Sequence, residues 1–186
     1  MVNIPEIVSV ARLVRRSHLA GAALGREHQM LFTRAVNNKH AAILCFDWSG
    51  IEVATASYLR QAYVPVFTFA GASPVITSGL NQSIQDDLEF ALQAEGRPIL
   101  VMSPKDKRGA PEFIGPLDEA YVQALLALER HGEATATSLF EEFKNRSESS
   151  IGKTAWINRL NRLFEMGLVS RTKPGKEYRY ARIQLS

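Results

Sequence analysis

Apolar positions along this chain change their spacing several times, and each change marks an element. IVSVARLV near the start is dense in apolar and branched residues and reads as a β-like stretch. Between Leu19 and Val36 the apolar residues Leu24, Met30, Leu31 and Ala35 predict a helix. AAILCFD is an apolar run ending in an acid, the pattern of a buried strand that stops at a carboxylate, Asp47. WSGIEV is a turn-rich crossing. ATASYLRQAYVPVFTF is helical in its first part, until Pro65 removes an N–H and crowds the preceding turn. SPVITSG predicts a loop or short strand. Asn81 or Ser83 caps the next helix, IQDDLEFALQAEG, with Asp86 and Asp87 early in it, where the dipole favours anions, and Gly96 ends it. PILVMS is another buried strand. Strands alternating with helices predict an α/β domain.

The period then disappears. SPKDKRGAPEFIGPL, residues 103–117, holds Pro104, Pro111 and Pro116 with a charged cluster, and reads as a linker. The expected division is an α/β domain over 1–103, a linker over 104–116 and a second domain over 117–186. The second domain is mainly helical. Asp118 starts AYVQALLALERHG, with Tyr121, Leu125 and Leu128 on one stripe and Gly132 as a stop. Thr135 can cap ATSLFEEFKNR. A third helix runs from about Ile151 to Met166, closed by Gly167. LVSRTK and KEYRYARI then flank Pro174-Gly175 as a hairpin.

Composition sets limits. With 46% hydrophobic and 22% charged residues, the chain is not a disordered one. The lone cysteine, Cys45, lies in an apolar run and reads as a buried thiol, and the four histidines flank no cysteine pair, so neither a disulfide framework nor a metal site is expected. MVNIPEIVSVARLVRR is apolar before it is basic, the reverse of a secretory leader, and no apolar run approaches a membrane span. The expectation is a cytoplasmic protein without membrane contact.

Net charge is only +3, but it is unevenly placed. Residues 116–148 carry three basic and seven acidic residues, and residues 149–186 carry eight basic and two acidic ones. A basic end beside an acidic segment suggests a surface for a polyanion.

The triplet Gly152-Lys153-Thr154 matches the tail of a phosphate-binding loop. That loop needs a glycine where Ser147 stands and a buried strand just upstream, where SLFEEFKNR is instead an amphipathic helix. The segment makes better sense as a helix whose Trp156, Leu160, Leu163 and Gly167 face inward. Thr154, Asn158, Arg159 and Arg162 then lie largely outward and are of types that contact phosphates and base edges. Phe140, Phe143 and Phe164 have helical spacing and read as core.

The run TAWINRLNRLFEMGLVSRTKPGKEYRYAR resembles the winged helix-turn-helix family of DNA-binding domains over about residues 117–183, with Leu160, Leu163, Gly167, Leu168 and Val169 at the end of the helix and the step into the wing. The resemblance implies that the helix bearing Lys153, Thr154, Asn158, Arg159 and Arg162 enters the major groove, and that the wing, with Arg171, Lys173 and Lys176, touches the backbone or minor groove. Ile157 departs from it, an apolar residue on a face that usually carries polar groups. ILCFDWSGIEVATASYLRQ in turn is similar to STAS-like domains, the fold of anti-sigma-factor antagonists, over about residues 20–103. Antagonist members carry a phosphorylated serine or threonine at the helix start. Here that position is nearest Ala56, and Thr55 and Ser57 flank it as a possible partner or regulatory surface, with helix capping the plainer role.

The expected function is a transcriptional regulator that binds double-stranded DNA as a homodimer, with the STAS-like half sensing a signal or docking a protein. The alternative is an adapter that docks on a kinase-like ATPase without binding DNA. Asp47 and Glu52 across a turn make no acid/base pair by themselves, and no Ser-His-Asp or Cys-His constellation stands out. No catalytic role and no cofactor are expected.

Overall fold

The computed structural model describes residues 4–102, 111–144 and 152–185. The chain is a mixed α/β protein built in the order β1 (Glu6–Ser9), α1 (Val10–Val14), β2 (His18–Leu19), α2 (Ala22–Asn37), β3 (Leu44–Asp47), β4 (Val53–Ala54), α3 (Ala56–Ala62), α4 (Val66–Ala70), β5 (Val75–Ser78), α5 (Gln82–Glu95), β6 (Ile99–Val101) and β7 (Glu112–Ile114). It continues through α6 (Glu119–His131), β8 (Glu133–Thr135), α7 (Ala136–Lys144), α8 (Lys153–Glu165), β9 (Val169–Thr172) and β10 (Arg179–Arg182).

The main sheet is mixed, with order β1-β3-β5-β6-β7. Its first four strands are parallel and β7 is antiparallel to β6, pairing Leu100 with Phe113. Each parallel crossover advances one place along the sheet. With the usual handedness, such crossovers put all their helices on one face. The side chains agree. Leu44, Phe46, Val75, Ile99 and Val101 point into one cluster with Phe32 of α2, Tyr58 and Leu59 of α3, Val66 and Phe67 of α4, and Ile84 and Leu88 of α5. Aromatic rings fill its centre: Trp48 and Tyr63 meet edge-on at 4.9 Å and Phe32 and Phe46 lie 5.4 Å apart. Thr77 is fully buried there and its hydroxyl pairs with that of Tyr63 at 2.7 Å.

Alternate residues of the same strands point the other way. Cys45, Ile76 and Leu100, with Ile43, form one cluster with Leu125 and Leu128 of α6, Leu139 of α7, and Trp156, Leu160 and Leu163 of α8. The C-terminal half is the second layer on this sheet. Its own small sheet has order β8-β10-β9, both pairs antiparallel. The stripe Trp156, Leu160, Leu163 and Gly167 is buried as expected. Gly167 takes φ 73°, closing α8 with Gly167 N–H donating to Phe164 O and Leu168 N–H to Leu163 O. A Cβ at Gly167 would sit 3.4 Å from Ser73 O, so the chain reversal also fits closely against the N-terminal half.

Several expectations need correction. IVSVARLV is strand only to Ser9, whose hydroxyl accepts from Arg12 N–H and starts α1. The helix expected from Leu19 begins at Ala22, because Gly21 has φ 85° and Leu19 pairs with Ala54 in a two-strand sheet. The short-strand reading of SPVITSG holds: Val75–Ser78 is a four-residue strand between β3 and β6. Asp87 lies beyond the first turn of α5 and its carboxylate instead accepts the N–H of Ala56, at the start of α3. The 104–116 linker contains β7, because Phe113 and Ile114 are apolar enough to extend the sheet edge. Residues 104–110 of that linker lie outside the described residues, as do Ser147 and Ile151. Among the described residues no helix is long and apolar enough to cross a membrane, and no group of three or more His, Cys, Asp or Glu is placed to hold a metal ion.

Candidate nucleic-acid interface

α8 is amphipathic for a simple reason. Trp156, Leu160 and Leu163 share the buried side, so Lys153, Thr154, Ile157, Asn158 and Arg162 are left exposed. The helix has no side-chain cap at Gly152, so its first N–H groups face outward beside Lys153 and Thr154. Ile157 is 37% exposed and presents an apolar spot in the middle of this polar face.

Side chains lock the hairpin β9–β10 to α8. Asn161 Oδ1 accepts from Tyr180 Oη at 2.6 Å and from Arg171 Nη1 at 3.1 Å. The Arg171 guanidinium lies 3.9 Å from the Phe164 ring centre and 4.2 Å from that of Tyr178. Glu133 of β8 accepts from Thr172 and Arg179, tying the three strands together. At the hairpin tip Glu177 accepts from Thr137 at 2.7 Å and lies 3.5 Å from Lys153 Nζ. The Thr137 hydrogen bond, and then the Lys153 charge, hold the Glu177 carboxyl below its ordinary range. Between α7, α8 and the hairpin is a cleft of about 220 Å³, lined by Lys153, Ile157, Asn161, Lys176, Glu177 and Tyr178.

The eight expected contact residues therefore separate into groups. Lys153, Thr154 and Asn158 sit together on the outer face of α8, and Lys173 and Lys176 flank them on the hairpin; all five are exposed. Arg159 is half-buried, its guanidinium 5.6 Å from the Trp156 ring centre. Arg171 is engaged in holding the hairpin to α8. Arg162 is exposed but sits at the far end of the helix, paired with Glu165 at 3.3 Å and facing the N-terminal half. The basic tail is also partly neutralised at home: Arg179 pairs with Glu133 and Arg182 with Glu129. Sequence reasoning missed Glu177 and Asn161, which lie among or beside the cations but carry no local motif.

The flanking pair in the N-terminal half is placed differently. Thr55 stands at the N-cap of α3 without a side-chain bond to that helix; its hydroxyl accepts from Gly21 N–H at 3.1 Å and meets Ser57 Oγ at 3.2 Å. The expected capping role passes to Asp87, as described above. Asp47 accepts from Ser49 N–H in a tight turn, and Glu52 lies 3.7 Å from His18, so the two carboxylates serve separate local structures. Burial raises the Cys45 thiol above its ordinary range, and Ser78 Oγ accepts from it at 3.3 Å.

No family model matches the chain, and a search of curated proteins finds no match for it.

Proposed function

We propose that the protein is a DNA-binding regulator whose C-terminal half is a winged helix domain and whose N-terminal half is a STAS-like sensing or docking domain. The observation that carries this reading is the outer face of α8. It sets Lys153, Thr154, Ile157 and Asn158 beside a hairpin bearing Lys173 and Lys176, all of them exposed. The order helix, strand, helix, helix, hairpin with sheet order β8-β10-β9 supports a domain of that kind. Lys153 and the wing lysines position the duplex by phosphate contact. Asn158 and Thr154 read base edges, and Ile157 meets a thymine methyl. The protein acts by groove insertion, without a catalytic step and without a cofactor, and as a homodimer on paired half-sites.

The test is a comparison of variants on one duplex. Lys153→Ala and Asn158→Ala weaken binding about tenfold each, by the size of a good base or phosphate contact. Arg162→Ala, at the far end of the helix, leaves it within about twofold. Equal losses at all three positions would refute the assigned face.

A second reading has one observation in its favour. Phe90 is 71% exposed on α5, and with Ala56, Ser57 and Gln61 it lines a groove of about 260 Å³. An adapter docking on a kinase-like ATPase would use this patch. Capture of such a partner by the intact chain, abolished by Phe90→Asp, together with no affinity for DNA would favour it.

A further inference from the structure

A second cavity, of about 320 Å³, lies where the two halves meet. Its walls come from the ends of α4 and α5 on one side and the last turn of α8 on the other, and two guanidinium groups line it, those of Arg97 and Arg162. The two carboxylates at the cavity are already occupied. Glu95 pairs with Arg60 at 2.6 Å and Glu165 with Arg162 at 3.3 Å. Arg97 is different. It is half-buried, and among the described residues its acceptors are neutral: Thr68 Oγ1 at 3.0 Å and the carbonyl of Phe67. Its Nε is buried without an acceptor. Burial, and after it the like charge of Arg162, pushes the Arg97 pKa down. A half-buried cation facing a second cation, with no carboxylate of its own, is a costly arrangement that an anion relieves. Val64, Pro65 and Met166 supply an apolar wall beside the two arginines, and the volume falls in the range of small-molecule sites.

We infer that this seam cavity is a binding site for a small organic anion, whose phosphoryl or carboxyl group engages Arg97 and Arg162 while its apolar part rests on Val64, Pro65 and Met166. Neither arginine alone makes the site, because one belongs to each half. An occupant therefore ties the N-terminal half to α8, the helix assigned to the major groove. That coupling rests on the DNA reading; the anion site itself does not.

Calorimetric titration of the full chain at constant ionic strength tests the site, with inorganic pyrophosphate and citrate as separate probes for phosphoryl and carboxyl groups. Saturable binding of one per chain by either probe is expected, weakened at least about tenfold by Arg97→Gln and by Arg162→Gln, the loss of a charge-assisted pair. Lys173→Gln with Lys176→Gln leaves it unchanged. Met166→Trp, which fills the cavity without touching a charge, abolishes it and guards against a folding defect in the arginine variants. Binding of neither probe overturns the inference. So does binding that survives the arginine variants and is lost with the lysines, since the anion then sits on the hairpin. Anion binding in a chain with no affinity for duplex DNA keeps the site and removes the coupling, which separates failure of this inference from failure of the proposed function.

Discussion

The two faces of the main sheet are closed by different means. On one, the crossover helices that the strand order itself generates seal an aromatic core around Trp48 and Tyr63. On the other, Cys45, Ile76 and Leu100 are covered by elements from residue 117 onward, more than fifteen positions beyond the last parallel strand. The first face closes locally and needs nothing more. The second face makes the C-terminal half an obligatory layer, so the helix that carries the candidate interface is fixed to the sheet through one continuous core.

The largest expected effect comes from removing that second layer. A fragment of residues 1–116 exposes Ile43, Cys45, Ile76 and Leu100 together and is expected to aggregate. Cys45 reports the same event: its reaction with a thiol reagent in the intact chain should be at least about a hundredfold slower than in the fragment, since it requires local opening. A monodisperse fragment with a shielded thiol would show that the halves are independent.

Next in size are single core truncations placed on either side of the sheet. Leu88→Ala and Leu160→Ala should each cost about 2–5 kcal/mol in urea unfolding. One transition shifted by both variants is expected, because the clusters share the sheet. Two transitions, each moved by one variant, would separate the layers. Tyr63→Phe is smaller, about 1–2 kcal/mol, because it leaves the buried Thr77 hydroxyl without its 2.7 Å partner. The smallest effect is at Glu177. Its lowered carboxyl contributes stability above the ordinary carboxylate range, and that contribution is lost as pH falls through the lowered value. Glu177→Gln should therefore flatten the acid limb of the stability curve slightly. It should also strengthen duplex binding by about threefold by releasing Lys153 from its surface pair.

Much of this was readable from local pattern. Periodicity placed α5, β3, β6 and the inward stripe of α8, because each is set by residues within a few turns of one another. Gly96 and Gly167 marked their helix ends because both take positive φ. What escaped was long-range. The residues around Phe113 look like linker from their prolines, yet the edge of β6 supplies the hydrogen bonds that make them a strand. Arg171 and Lys173 look alike in the sequence, and both lie over the Tyr178 ring; only the placement of Phe164 and Asn161 separates a packed guanidinium from an exposed lysine. Arg162 likewise counts as a groove residue by spacing, but faces the seam once the N-terminal half is in place. The charge excess of residues 149–186 was visible, while its partial neutralisation by Glu129, Glu133 and Glu177 depends on contacts across elements.

The central claim is that α8 and the hairpin hold duplex DNA. Fluorescence anisotropy of the full chain on a random duplex, across a salt series, tests it most directly. With Lys153, Lys173 and Lys176 each neutralising a phosphate, log K should fall against log salt with a slope of about −3 per bound protomer, and Lys173→Ala with Lys176→Ala should reduce that slope by about 2 per protomer. No binding at low salt, or a slope that the double variant leaves unchanged, would contradict the account.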